Sequence, residues 1–354
     1  MIDYSSRLST QNVIEASAPC RVDMGGTLDI RTFYLPLRRY RPCTVNFAIN
    51  LRTTVRLSPY HSGKIRIEAD GFNPATFSVN SLPFDHPLGL VCALVAYWGV
   101  SGIRIRIQSP SPPRSALGGS SAAAVALTAA LSRLTGYPNG KPFSRNEIVR
   151  LAHLVEESIA GVPCGLQDQL AAAYGGVHLW TWQDGIRSSA FQRLPLIPRK
   201  NLSRFSGNLL FAYCGIPHES KNINGIWVRQ FLQGMFRKEW GEIAGLTRDF
   251  GSSVSVNDLP SAVESMNRET ELRRKMAPAV LDQTGEALIQ TAREEHCGAR
   301  FTGAGGGGCI WAIGEPVHIM TLKHRWEALL AEIPDACLLP ASIDTEGLKC
   351  TDDR

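Results

Sequence analysis

No Cys-x-x-Cys pair occurs in this chain, and its nine cysteines are scattered and odd in number. That argues for a reducing compartment and against both a disulfide framework and a structural zinc site. No apolar run reaches the length of a membrane span; the longest, residues 88–100 and 122–131, have the length of core helices. Residues 1–17 lack the apolar stretch of a secretory signal, so a cytoplasmic protein without membrane partners is expected. There is no Gly-x-x-x-x-Gly-Lys-Ser/Thr, which excludes a P-loop enzyme. His153, His178 and His218 show no paired metal-ligand spacing, and no Ser-His-Asp or Cys-His arrangement stands out. Charge is sparse as well, at 19% of residues, with a formal net charge of +5. Basic residues occur only in short groups such as Arg38-Arg39-Tyr40-Arg41, which read as solvated surface and not as a nucleic-acid stripe. A mild positive field suits an anionic small molecule such as a nucleotide.

What is present is apolar content of 44% over 354 residues, enough for two domains and a large core. Residues 109–127 organise the reading. Pro110, Pro112 and Pro113 force a loop, and Gly118 and Gly119 let the backbone turn without a covering side chain. An alanine-rich run to Leu131 then propagates a helix, with Ser120 or Ser121 as its cap. A glycine loop feeding a helix start favours an anion, because unpaired N–H groups and the positive dipole end point at it.

Residues 44–57, 64–68 and 102–108 alternate as half-buried strands do. Residues 88–98 form an apolar helix between them. Ser144-Arg145-Asn146-Glu147 has the spacing of a capping box and opens a helix through Ile148, Leu151, Val155 and Ile159. A tight turn, Gly161–Gly165, separates it from a short helix carrying Gln167-Asp168-Gln169. Strands follow at 177–182 and 208–213, with a boundary at 194–205 between a domain of residues 1–199 and one of residues 200–354. Residues 219–297 read as mostly helical with a link near 252–260, then a glycine stretch, a strand at 310–313, a helix near 317–333 and a last strand near 337–340.

Two further features carry chemistry. Thr302 to Gly308 contains Gly303-x-Gly305-x-x-Gly308, but it follows a helix and opens a strand, the reverse of a dinucleotide site. So many adjacent glycines imply close approach of backbone to a ligand or another loop. Glu156 and Asp168 are two acids separated by a tight turn. Phosphoryl transfer needs an oxygen ligand for magnesium and a carboxylate to orient or deprotonate the attacking hydroxyl, and these two fit both posts. Glu157 reads as a solvated helix residue.

Three stretches in this order, Ala18-Pro19-Cys20-Arg21-Val22-Asp23, Pro113 to Ala123, and Thr302-Gly303-Ala304-Gly305-Gly306-Gly307-Gly308-Cys309, resemble the motifs of the GHMP kinase superfamily of galactokinase, homoserine kinase, mevalonate kinase and phosphomevalonate kinase. Residues 156–169 are similar to a galactokinase segment, Gln167-Asp168-Gln169 also to heptose-phosphate kinases, and residues 215–222 resemble a substrate-side segment of the sugar-kinase branch. The resemblance spans nearly the whole chain. It implies a two-lobed α+β fold, with an ATP-binding N-terminal lobe like ribosomal protein S5 domain 2 and a ferredoxin-like C-terminal lobe, around a deep cleft. It implies ATP and Mg2+, bound by Leu117, Gly118, Gly119, Ser120 and Ser121 at the phosphates and by Ser120, or Ser121 in its place, with Glu156 at the metal. Asp168 is implied as base, Arg21 as its partner, Asp29 as a ligand of acceptor hydroxyls, and Gly303, Gly305, Gly306 and Gly307 as the wall from the far lobe. The implied activity is ATP-dependent phosphorylation of a sugar or sugar phosphate by a monomer or homodimer. The alternatives are a mevalonate-type acceptor or a non-catalytic sugar- or nucleotide-binding relative. Arg114 and Ala116 stand where the family usually has glycine, and Gly119 where it usually has serine. Gly25-Gly26-Thr27-Leu28-Asp29 lacks the Gly-Glu-His of galactokinases.

Overall fold

Strands with one apolar and one charged edge build the first sheet. In Ile103–Gln108 the isoleucines are buried and the arginines and glutamine exposed, residue by residue. This strand lies antiparallel to Cys43–Pro59, with Arg106 opposite Arg56, and parallel to Lys64–Ala69. The sheet runs Lys349–Asp352, Ile14–Met24, Cys43–Pro59, Ile103–Gln108, Lys64–Ala69, Ala75–Ser78; Val177–Trp182 also pairs with Cys43–Pro59 and carries Phe191–Pro195 at its side. The helix Gly119–Thr135 packs on Ile14–Met24 and Cys43–Pro59, and Arg145–Ala160 and Gln167–Tyr174 pack on that helix. The computed structural model describes residues 2–8, 13–136, 140–161, 163–186, 189–217 and 220–352; His218 and Glu219 of the sugar-kinase-like segment lie outside them.

The second sheet orders Gly298–Phe301, Cys309–Ile313, Leu209–Tyr213 and Cys337–Leu338. Helices Leu259–Met276, Gln283–Glu294 and Pro316–Leu330 pack on it. Its core is aromatic: Trp240 sits 4.5 Å from Phe33 and 5.5 Å from Trp227, ring centre to ring centre. Phe33 comes from the first half of the chain, and Leu28, Ile30 and Leu37 join the same cluster. In return Trp311 packs between Phe47 and Phe250 in the first core. Each lobe thus contributes side chains to the other's interior, which fixes the two sheets relative to one another.

Most expected elements are present. The capping box is made, with Ser144 accepting from the Glu147 N–H and the Glu147 side chain returning to Ser144, an arrangement that stabilises a helix by about 1 kcal/mol. Three expectations are corrected. Ser120 and Ser121 do not cap their helix: it begins at Gly119, Gly118 is the N-cap, and no side chain takes that role. The glycine stretch follows a strand, Gly298–Phe301, and not a helix; it closes a hairpin in which Phe301 faces Ile310. The chain also does not finish at residues 337–340. Lys349–Asp352 returns to the first sheet, with Thr351 opposite Glu15. Its Lys-Cys-Thr-Asp sequence has no apolar face, so only backbone pairing at a sheet edge makes it a strand.

Candidate active site

The pleat of Ile14–Met24 places Arg21 and Asp23, two residues apart, on one face. The Arg21 N–H donates to the Leu117 carbonyl at 2.9 Å, which stitches the glycine loop to this strand. Leu117 itself is buried in the core. The Arg21 guanidinium donates from Nε to Asp168 Oδ1 at 2.8 Å and from Nη2 to Asp168 Oδ2 at 2.9 Å, a two-point pair that fixes the plane of the carboxylate. Nη1 donates to the Ala116 carbonyl. Burial opposes the charge on Arg21, but Asp168 first and Asp23 next outweigh it, and its pKa is raised. Asp168 is the open member of the pair, with a side chain 23% exposed against 6% for Arg21.

Arg114, Ala116 and Gly118 all take left-handed backbone, at φ 55°, 61° and 75°. The first two are the positions where family glycines were missing. The loop keeps the glycine conformation and carries side chains in it, at a cost of about 1 kcal/mol each. The helix start at Gly119 is left to its backbone N–H groups, a ready anion site.

Ser120 and Ser121 each donate to one oxygen of Glu156, Oε1 and Oε2, at 2.7 Å. Gln169 Nε2 donates to Glu156 Oε2 at 2.7 Å and approaches Ser121 Oγ at 3.2 Å. Burial pushes the Glu156 carboxyl up, against the hydrogen bonds from Ser120 and Ser121. Neutral partners alone do not balance a half-buried carboxylate, so a cation fits here. Among the described residues no three His, Cys, Asp or Glu side chains gather as a metal cage. One carboxylate and a hydroxyl leave most positions to phosphate oxygens and water, the usual arrangement for magnesium.

Asp29 is buried beneath the turn before Gln167. Its Oδ2 accepts the Gln167 N–H at 3.0 Å, at the start of the helix that carries Asp168. Burial pushes its pKa to about 7, the Gln167 bond opposing and the Asp168 charge adding. Asn46 holds this helix start from the other side, donating to the Gln167 carbonyl at 3.1 Å. Beside Asp29 opens a recess of about 420 Å³ lined by Ile30, Arg31, Thr32, Glu157, Gly161 and Pro163. Glu157 is therefore more than a solvated residue: it lines the recess and pairs with Arg31 at 3.2 Å. A larger recess of about 690 Å³, at Arg38, Arg41 and Trp182, is lined by none of these site residues.

From the far lobe, Gly303 donates its N–H to Asp23 Oδ1 at 2.7 Å and lies against Arg21. Gly305, Gly306 and Gly307 instead pack on Val280, Ile223 and the backbone of Ile216 and Pro217, inside their own lobe. Arg21, Gly118, Ser120, Ser121, Glu156 and Asp168 converge; of the glycine stretch only Gly303 reaches them. Sequence reasoning assigned no role to Asp23, Gln167 or Gln169. The signal for Asp23 was there: an acid two residues from Arg21 on a strand must share its face.

The description GHMP kinases N terminal domain matches residues 85–176. The chain is 28% identical to the mevalonate kinase of Pyrococcus horikoshii over 365 residues, covering 94% of this chain and 96% of that protein. It is 26% identical over 248 residues to a probable glucuronokinase of Arabidopsis thaliana, covering 67% and 64% of the two. The fold is similar to that of Lactococcus lactis galactokinase solved with galactose, at a TM-score of 0.73 and 16% identity over 95% of each chain. No helix among the described residues is long and apolar enough to cross a membrane. Residues 85–176 thus match the GHMP kinase N-terminal domain, and the two-lobed α+β chain around them is a small-molecule kinase that transfers a phosphoryl group to an alcohol.

Proposed function

We propose that this chain transfers the terminal phosphoryl group of ATP, with magnesium, to a hydroxyl of a sugar or sugar phosphate. The observation that carries this reading is the position of Asp168: held at two points by buried Arg21, open on its other side, and set against Gly118 at the start of a helix no side chain caps. Backbone N–H groups from Leu117 to Ser121 take phosphate oxygens. Asp168 accepts the proton of the acceptor hydroxyl. Arg21 orients Asp168 and steadies charge as the phosphoryl group moves. Asp29, buried next to the recess residue Ile30, takes hydrogen bonds of the acceptor's other hydroxyls.

Ser120 and Glu156 would hold magnesium, which when bound neutralises phosphate charge. Ser120 suits this better than Ser121: it is exposed, whereas Ser121 is buried and also meets Gln169. The reading divides the chain into an ATP-binding lobe, residues 1–199, and a C-terminal lobe, residues 200–354. Sheet membership supports this division apart from Lys349–Asp352, which returns to the first.

A mevalonate-type acceptor is the second reading, favoured by the 28% identity to the mevalonate kinase of Pyrococcus horikoshii. An ADP-release assay over sugars, sugar phosphates, mevalonate and homoserine separates the two. The largest kcat/KM is expected with a sugar or sugar phosphate. The largest with mevalonate adopts the second reading, and ADP release no faster than without acceptor, for every compound, rejects both. In Asp168→Asn, kcat is expected to fall by about 10² to 10⁴-fold with ATP binding nearly unchanged; wild-type turnover in that variant rejects Asp168 as the base.

A further inference from the structure

Behind Arg21 lies a line of buried charge that the reaction as described does not use. Asp23 Oδ1 lies 3.8 Å from Arg21 Nε, and Asp23 Oδ2 accepts from Arg300 Nη1 at 3.2 Å. Arg300 Nη1 also donates to the Asp23 backbone carbonyl at 2.9 Å. Arg300 Nε donates to Glu269 Oε2 at 2.8 Å, and Glu269 Oε1 accepts from Arg273 Nε at 3.0 Å. Arg273 in turn reaches back to the Gly26 carbonyl at 2.6 Å and to Thr27 Oγ1 at 3.2 Å. The side chains of Asp23, Glu269, Arg273 and Arg300 are 0% exposed. Signs alternate from Glu269 through Arg300, Asp23 and Arg21 to Asp168, and only the last opens to solvent.

Stability alone is a poor account of such a line. Desolvating ion pairs costs several kcal/mol per ion, and apolar replacements of similar volume are often neutral or better. What the line does specify is direction. Arg21 has one carboxylate on its outer edge and a second behind it. The second is clamped by Arg300, whose own anchor, Glu269, belongs to the helix Leu259–Met276 of the far lobe. Asp23 also holds the Gly303 N–H, so the glycine hairpin and the guanidinium share one carboxylate. Gly26 lies close over Asp23, where a Cβ would fall 2.3 Å from Asp23 Oδ2.

The geometry points to Asp23 and Arg300 as positioning residues for Asp168, acting through Arg21: Asp23 aims the guanidinium, and Arg300, anchored on Glu269, aims Asp23. This rests on the reading of Asp168 as the base. It adds that the base is oriented from the far lobe, so that the site is complete only when both lobes are docked.

The test uses the full-length enzyme with its best acceptor and ATP. Asp23→Asn keeps the shape and an acceptor for Gly303 but removes the charge. Arg300→Met removes the opposite charge, and Arg300→Lys retains it without the two-point geometry. In both neutral variants kcat is expected to fall about 10- to 100-fold, the loss typical of a misplaced reacting group, with KM for ATP and acceptor within about twofold. The acid limb of the kcat–pH profile moves to lower pH in Asp23→Asn, where an anion behind Arg21 is lost. It moves to higher pH in Arg300→Met, where a cation is lost, and stays near the wild type in Arg300→Lys. The other titratable groups facing Asp168, namely Cys20, Asp29, His153, Glu156 and Cys164, are the same in every variant.

Loosened packing would move both limbs alike or neither, so equal limbs, or kcat within twofold of wild type in folded variants, overturn the proposal. If Asp23→Asn does not fold, the Arg300→Met and Arg300→Lys pair decides by the same limb comparison. Asp168→Asn is measured alongside. Full turnover there rejects the base itself, whereas a dead Asp168→Asn with unaffected Asp23→Asn and Arg300→Met rejects only the orienting line.

Discussion

Gly118 and Asp168 touch across the start of the alanine-rich helix: a Cβ added to Gly118 would lie 3.2 Å from Asp168 Oδ2. Gly118 also has φ +75°, a conformation that an L side chain adopts at a cost of about 1–2 kcal/mol. Gly118→Ala is therefore expected to lose that much stability and, separately, to displace Asp168. Equilibrium urea unfolding reads the first effect. A drop in kcat persisting at temperatures where the variant is fully folded reads the second. Arg114 offers the opposite case, an exposed residue at φ +55°. Arg114→Gly relieves the strain and is expected to stabilise by up to about 1 kcal/mol, with kcat little changed. A lower urea midpoint would show that the Arg114 side chain makes compensating contacts.

The two serines of the first helical turn divide their work by burial. Ser120→Ala is expected to raise the magnesium concentration for half-maximal activity by about tenfold or more, since it removes a hydroxyl from the proposed metal site. Ser121→Ala removes a buried partner of Glu156 and Gln169, so it is expected to cost about 1 kcal/mol of stability with a smaller change in metal requirement. Magnesium titrations of both variants, paired with urea unfolding, check the split. If Ser121→Ala shows the larger metal effect, the assignment passes to Ser121.

Asp29 sets a pH dependence of stability. Its folded pKa, about 7, stands above the 3.8 of a free carboxyl because burial disfavours the anion. Between these values the folded state binds more protons than the unfolded one, so its contribution is full below about pH 4 and is lost as pH rises through 7. In Asp29→Asn that loss is absent. The difference in unfolding free energy between variant and wild type should move in favour of the variant by a few kcal/mol from pH 4 to pH 8, and stay level above. A pH-independent difference in that window would mean that Asp29 is charged throughout.

Part of this site was written in local sequence. Gly118, Gly119 and the alanines after them announce a loop and a helix by backbone freedom and propensity alone. The alternation of Ile103, Ile105 and Ile107 with Arg104 and Arg106 announces a strand with one wet face. Ser144 and Glu147 announce a helix start through a bond only three residues long. Each of these depends on neighbours along the chain, and so a linear reading reaches them.

Other features depend on neighbours in space. Ser120 and Ser121 looked like caps because hydroxyls at a helix start usually turn back onto it; Glu156, from the next helix, takes them instead. The strand Lys349–Asp352 exists only because Ile14–Met24 offers it an edge. The five-glycine stretch reads as one unit in sequence. Yet contacts divide it, with Gly303 at Arg21, Gly305 to Gly307 against Val280, Ile223, Ile216 and Pro217, and Gly308 against Ser115.

What the sequence determined by itself was the set of local geometries and the chemical types available: an anion-binding turn, an arginine, two acids and a hydroxyl pair. What only the tertiary structure decided was their pairing. Hydrogen bonds between residues 147 or 277 positions apart, as in Arg21 with Asp168 and Arg300 with Asp23, leave no periodic trace in the chain. Their strength comes from burial, which exists only once both lobes have closed around them.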